Sequence, residues 1–315
     1  MGQPLVTIVT PAYNSAGFIA ETIASALAQT HGDFELIVVD DGSTDDTIDV
    51  VHRTAAGDPR VIVMSSPHGG PAAARNVALE AARGRYLALL DSDDVWMPSY
   101  LEEQIRLLEQ TPDCAIVTAN AINRGGVLDG RPIWPQTSGV RVMTMRDVIL
   151  EQNAVCIMAV FRRCVLDRIG LFDRAFTGNE DYEFWMRAAN AGFGIVQNRR
   201  PLGCYRRRAG SVSDDEIRML RGIIAVVEAT ARRSGAIDHE QQAVARQLAM
   251  LREALVVAQL RQSLSKRDGP AAALGLQALS ELRGSTLLAL AARVLKTCPD
   301  LFVRAYGLRQ SLRTT

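Results

Sequence analysis

Four apolar, largely β-branched runs occupy the first ninety or so residues: Leu5–Thr10, Phe34–Asp40, Arg60–Ser65 and Tyr86–Leu90. Between them lie segments whose apolar positions recur at helical spacing. Ile19, Ile23, Ala26 and Leu27 mark a helix over 16–29, with Ser15 placed as its N-cap; Ile48 and Val51 mark a second, and 72–82 a third. Strands that alternate with helices join as parallel neighbours, because each crossover consumes a helix's worth of chain. The expectation is a mainly parallel sheet with helices on both faces. In such a sheet ligands bind outside the carboxyl ends of the strands. The residues that matter should therefore follow each run, the first of which should stop at Pro11.

Beyond Asp94 the pattern becomes mixed. Ser99–Gln110 reads as a helix, 114–122 as a strand, the glycine- and proline-rich 122–139 as a hairpin or loop, and 154–161 as another strand. From Glu216 strand signals vanish. Helical spacing marks segments around 217–227, 244–266, 271–282 and 286–296. The chain thus divides into 1–215, with a first half to about 95 and a second from 96, and a helical appendage, 216–315, with no chemistry of its own.

Charge follows the same division. The 35 basic and 35 acidic residues cancel overall, but 1–215 holds 20 against 27 and 216–315 holds 15 against 8. The basic charges are spread over helices, so no nucleic-acid partner is expected. Five scattered cysteines without C-x-x-C spacing give neither a zinc site nor a disulfide framework. No run reaches the ~18 apolar residues of a membrane span, and the start lacks a signal peptide's basic and apolar regions. A cytoplasmic location is expected.

Five polar clusters sit at the predicted strand ends or helix starts. Pro11-Ala12-Tyr13-Asn14 is either a turn or a stacking ring with an amide beside it. In Asp40-Asp41, one carboxylate can cap the next helix and the other wants a nucleobase N–H or a ribose hydroxyl. Gly69–Asn76 opens a helix with glycines and places Arg75 one turn in, where it meets an anion or solvent. The segment matches neither a P-loop nor a dinucleotide fingerprint. Asp91-Ser92-Asp93-Asp94 crowds three carboxylates at the end of an apolar strand, which suits a hard divalent cation, Mg²⁺ or Mn²⁺. Glu180-Asp181 leads an aromatic-rich helix, where acids either favour the dipole or serve as a general base.

The order and spacing of these clusters resemble the inverting family 2 glycosyltransferases, of GT-A fold, over about residues 5–215. The resemblance implies a nucleoside-diphosphate sugar donor, UDP-linked in most such enzymes, and an acceptor hydroxyl on a saccharide, in some cases lipid-linked. It implies that Pro11, Tyr13 and Asn14 meet the base, and that Asp40 and Asp41 meet base and ribose. Arg75 and Asn76 would lie near the nucleotide. Asp91 would bind ribose and, with Asp93, the Mg²⁺ or Mn²⁺ ion. The Glu180-Asp181 pair would supply the base, assigned to Asp181, and Trp185 would shape the acceptor pocket. One departure stands out: Arg208 occupies the place of a histidine in the relatives' segment, so it can neutralise a diphosphate but cannot ligate metal. A nucleotidyltransferase would show a glycine-rich basic loop where Thr10–Tyr13 stands. A non-enzymatic binder would not need Asp181 beside an intact D-x-D.

For the basic tail two outlets exist. Leu248, Leu251 and Leu255 could form a homodimer interface. Alternatively, Val294, Leu295, Phe302, Val303, Tyr306 and Leu308 among basic residues could contact an anionic membrane at its inner face. The apolar stripe over 240–264 favours self-association.

Overall fold

The computed structural model describes residues 3–137, 139–151, 154–208, 215–233 and 238–297. Chain order runs β1 (Val6–Ala12), α1 (Ile19–Leu27), β2 (Phe34–Asp40), α2 (Thr47–Ala55), β3 (Val61–Ser65), α3 (Pro71–Ala81), β4 (Tyr86–Leu89), β5 (Val95–Trp96), α4 (Tyr100–Gln110), β6 (Cys114–Arg124), β7 (Val140–Met143), α5 (Met145–Leu150), β8 (Ala159–Arg162), α6 (Arg163–Ile169), α7 (Glu180–Asn190) and β9 (Gly194–Arg206). Four helices follow: α8 (Glu216–Arg233), α9 (Asp238–Ser265), α10 (Gly269–Arg283) and α11 (Thr286–Thr297).

The strands form one mixed sheet in the order β3-β2-β1-β4-β8-β6-β9-β5, with β7 added to β9. β3, β2, β1 and β4 are parallel neighbours. β8 runs antiparallel between β4 and β6, and β6 is parallel to β9. Every residue of β1 and β2 is buried. Since side chains alternate across a strand, that burial requires cover on both faces. The strand order reverses beside β1, and the carboxyl ends of β1, β2, β4 and β9 share one edge.

β1 continues past the expected stop at Pro11. Its pairing with β4 ends at Val9 and Leu89, whereas its pairing with β2 runs to Ala12 and Asp40. By alternation Pro11 turns its missing N–H toward the side where β4 has already ended, so no ladder bond is lost. Helix α1 starts at Ile19 rather than at 16. Ser15 does not cap it by its side chain; its carbonyl accepts from the Phe18 and Ile19 amides, while its hydroxyl meets Ser92 Oγ at 2.7 Å.

The apolar run 154–161 enters the sheet only from Ala159. Its first part is held by side chains instead: Cys156 N donates to Thr118 Oγ1 (3.0 Å), and Gln197 Nε2 donates to the Ala154 carbonyl (3.0 Å). The long β9 breaks the apolar pattern with Gln197, Asn198, Arg199 and Arg200, yet it joins β5, β6 and β7.

The helical region is welded to the rest. Leu220, Ile223, Val226 and Val227 of α8, with Val244 and Leu251 of α9, belong to the main core, and Leu248 and Leu255 pack against it. Burying a leucine contributes ~1.5–3 kcal/mol. The leucines expected to form a homodimer stripe are therefore spent within the chain. A second, smaller core joins the end of α9 to α10 and α11 around Leu260, Leu276, Leu279 and Leu295. Leu295 is thus buried, while Val294 is exposed. Phe302, Val303, Tyr306 and Leu308 lie outside the described residues. Among the described residues no helix is long and apolar enough to cross a membrane.

Candidate active site

A cleft of about 940 Å³ opens along the edge where β1, β4 and β9 end. Pro11, Tyr13, Asn14, Asp41, Arg75, Asp91, Asp93, Glu180, Asp181 and Arg208 all line it. Asp40, Asn76 and Trp185 do not.

At the β1 end, Tyr13 is 41% exposed and stacks on His68, ring centroids 4.2 Å apart. Any planar ring that stacked on Tyr13 would have to share or displace the imidazole. Asn14, at φ +45°, accepts the Thr44 amide at 2.8 Å through its side-chain oxygen, which fixes the loop after β2. Asp41 is only 2% exposed and accepts the amides of Gly69 and Gly70, both at 2.8 Å. It thereby ties the β2 end to the loop before α3. Gly70 sits at φ +84°, a conformation that favours glycine. Asp40 accepts the Ser43 amide at 3.2 Å and braces the same turn. The adjacent acids thus both hold backbone amides, which compensates their like charges locally.

Asn76 exchanges two hydrogen bonds with the Phe172 backbone, both 2.9 Å, and docks α3 on the segment before α7. Trp185 is 1% exposed and packs edge-on against Phe161 and Phe184. It supports the core beneath α7 from the buried face of that helix and does not line the cleft.

The acidic turn after β4 is compensated by three arginines. Asp91 Oδ1 pairs with Arg75 at 2.7 Å, and Asp93 Oδ2 pairs with Arg208 at 2.9 Å. Asp94 Oδ1 accepts the Arg206 amide at 2.9 Å, and the Arg206 guanidinium donates to the Asp93 carbonyl and pairs with Glu21. Burial and the neighbouring Asp91 push the Asp93 carboxyl up, and burial with Asp93 and Asp91 pushes Asp94 well up. Among the described residues no three His, Cys, Asp or Glu side chains converge as a complete ligand set. Asp91 and Asp93, each pairing with an arginine through one oxygen, fit a Mg²⁺ or Mn²⁺ ion that takes its remaining ligands from water and substrate phosphates.

Arg75 is the keystone of the opposite wall. Its guanidinium, on a side chain 4% exposed, also reaches Glu180 Oε1 at 2.7 Å, so it spans the β4 end and the start of α7. Glu180 uses its second oxygen to accept the Gly178 amide at 2.6 Å. Asp181 is partly accessible and accepts only the Tyr182 amide, at 2.7 Å, among the bonds found. Burial, then the adjacent Glu180, raise its carboxyl against the pull of Arg75, to about 6.

The sequence reading passed over His68, Arg206 and the first turns of α8, whose Glu216, Arg218, Met219, Leu220 and Ile223 complete the cleft wall. The helical region is therefore part of the site. Gly222 permits this approach: a Cβ there would lie 2.1 Å from Asn179 Nδ2. Helix propensity would favour Gly222→Ala by ~1 kcal/mol, but overpacking costs ~1–3 kcal/mol. A net loss near 1 kcal/mol is expected in urea titration, together with a lower kcat as Asn179 is pushed from the start of α7; a stabilised, fully active variant would refute the close packing.

Residues 7–170 match the family described as Glycosyl transferase family 2. The chain belongs to that family. This glycosyltransferase is 33% identical over 219 residues to an Escherichia coli protein, UDP-Glc:alpha-D-GlcNAc-diphosphoundecaprenol beta-1,3-glucosyltransferase WfaP, covering 69% of this chain and 82% of the relative. Solved structures share its fold. TarS 1–349 of S. aureus in complex with UDP-GlcNAc aligns with TM-score 0.63 at 20% identity, over 97% of this chain and 92% of that one. The mannosyltransferase PcManGT of Pyrobaculum calidifontis, in complex with GDP-Man and Mn²⁺, aligns with TM-score 0.63 at 22% identity, over 99% and 85%.

Proposed function

We propose that this glycosyltransferase moves a sugar from a UDP-sugar to an acceptor hydroxyl with inversion, in polysaccharide or glycoconjugate assembly. The observation that carries the reading is Asp181, a partly accessible carboxyl held near pKa 6 on the wall of a cleft that also contains the acidic turn. A base at that pKa is ionised at neutral pH yet still accepts a proton well. Asp181 takes the acceptor's proton as its oxygen attacks the anomeric carbon from the face opposite the leaving diphosphate; one displacement inverts the centre. Tyr13 and His68 offer a stacking surface for the base. Arg75 fixes the start of α7, and Glu180 serves as its anchor rather than as the base. Mg²⁺ or Mn²⁺ held by Asp91 and Asp93 would neutralise charge on the leaving diphosphate. The E. coli relative's name, which gives a UDP-glucose donor and a diphosphoundecaprenol acceptor, supports a UDP donor and a lipid-linked acceptor.

The test is a panel of nucleotide sugars incubated with Mn²⁺ and candidate lipid-linked saccharides, read out as free nucleotide and as the anomeric configuration of the product. A UDP-sugar should be turned over, and the anomer should be inverted. Asp93→Asn should lower turnover by at least ~10²-fold while the circular dichroism spectrum is unchanged. Full activity in chelator or in Asp93→Asn would remove the cation from the mechanism.

A further inference from the structure

Three arginines face the acidic turn, and they differ in how firmly they are held. Arg75 is buried between two carboxylates, its side chain 4% exposed. Arg206 is 13% exposed and is fixed by Glu21, by the Asp93 carbonyl and by its own amide on Asp94. Arg208 is 35% exposed, and among the described residues its one ion pair is with Asp93, whose own side chain is 19% exposed. Beyond that pair its guanidinium carbon lies 5.3 Å from the centroid of the Phe18 ring. It also lines the cleft. A partly exposed ion pair of this kind is worth little, ~0–1 kcal/mol. A single such contact is easily traded for another anion, whereas the other two guanidiniums would each have to abandon several partners.

Asp93 is one of the two carboxylates here that fit the divalent cation, and although Arg208 takes only its Oδ2, a dication on the other oxygen would stand within a few ångströms of the guanidinium and repel it. We propose that Arg208 is an exchangeable stand-in for the cation: it holds Asp93 while the cleft is empty of donor, and moves to the donor's diphosphate when the divalent ion takes that carboxylate. The inference rests on the donor and cation assignments above. A planar guanidinium pairs with phosphate oxygens as readily as with a carboxylate. The exchange keeps the acidic turn neutralised before the donor arrives. It also makes cation binding depend on the diphosphate: without nucleotide, the ion must expel Arg208 into water.

The experiment measures Mn²⁺ binding by the spin-resonance signal of the free ion, with and without UDP, for the unmodified protein, Arg208→Ala and Asp93→Asn. UDP affinity at saturating Mn²⁺ is measured by calorimetry. The unmodified protein should bind Mn²⁺ weakly alone and much more tightly with UDP. Arg208→Ala should bind Mn²⁺ alone up to ~5-fold more tightly, the most a pair of that strength allows, and bind UDP ~10-fold more weakly, since a charged partner is removed from each equilibrium. Unchanged Mn²⁺ affinity in Arg208→Ala, with binding lost in Asp93→Asn, would overturn the exchange and leave the cation site intact. Unchanged UDP affinity would overturn the transfer to the diphosphate. Mn²⁺ binding that survives in Asp93→Asn, or is absent from the unmodified protein even with UDP, would overturn the cation assignment and the exchange with it. Melting curves of both variants confirm that each is folded.

Discussion

Replacing Asp181 by asparagine is expected to lower kcat by ~10²–10⁴-fold, the range for loss of a general base, and at the same time to stabilise the fold at pH 7. Both effects come from one burial. Desolvation and the charge of Glu180 raise the carboxyl from 3.8 to about 6 in the folded chain. The unfolded chain releases this proton near the ordinary aspartate value. Between those two pH values the folded state binds more protons than the unfolded state, so stability falls as pH rises. Above about pH 6 the ionised carboxylate is a net cost of about 1–3 kcal/mol. Asparagine carries no such charge, so the variant should melt higher at pH 7 and show no advantage near pH 4. In the unmodified enzyme kcat should climb through about pH 6 as the base ionises and then level off. Donor affinity should barely change, because the diphosphate and base are assigned to other residues. Turnover near the unmodified value, or a lower melting temperature at pH 7, would sink the assignment.

The parallel half of the sheet was legible because burial on both faces of β1 and β2 writes a continuous apolar run into the sequence. The mixed half was legible only in part: β6 and the end of β8 stood out as strands, but β9 did not. β9 carries Gln197 and Asn198 inward, where Gln197 meets the Ala154 carbonyl and Asn198 meets Gln104. Its side chains satisfy buried polar groups, so no apolar periodicity marks it. The converse error arises at 154–158, where apolar residues are buried without entering a ladder. Among site residues, spacing found the elements but not the direction of each side chain. Asp41, read as a ligand for the nucleotide, grips the Gly69 and Gly70 amides, and Asn76 grips the Phe172 backbone. The acidic turn, read as suited to a divalent cation, is met by arginines, the farthest of which, Arg208, lies 115 residues along the chain from its partner Asp93. Only the folded topology brings β9 and α3 to that point.

The second large effect should come from Arg75→Met, which keeps the volume and removes the charge. Burial alone would push this guanidinium's pKa down, but Asp91 and Glu180 more than offset that and hold it above its ordinary value. The carboxylate partners come from the end of β4 and the start of α7, so the ion triad is a cross-brace between the two walls of the cleft. Removing the shared cation leaves Asp91 and Glu180 facing each other in a poorly solvated space. Loss of one partner from a buried ion pair costs about 3–5 kcal/mol, which is a large share of the ~5–15 kcal/mol that holds a domain folded. Urea titration should register that loss. Adding Glu180→Gln to Arg75→Met should recover part of it, because the stranded charge is then gone; a strictly additive pair would show that the two side chains do not depend on each other. A merely structural brace would leave the remaining activity with its original pH profile. Here the Arg75 charge also pulls on the Asp181 carboxyl, so the acid limb of kcat in folded Arg75→Met should move above pH 6. Retained stability together with an unmoved limb would mean that the guanidinium neither braces the cleft nor tunes its base.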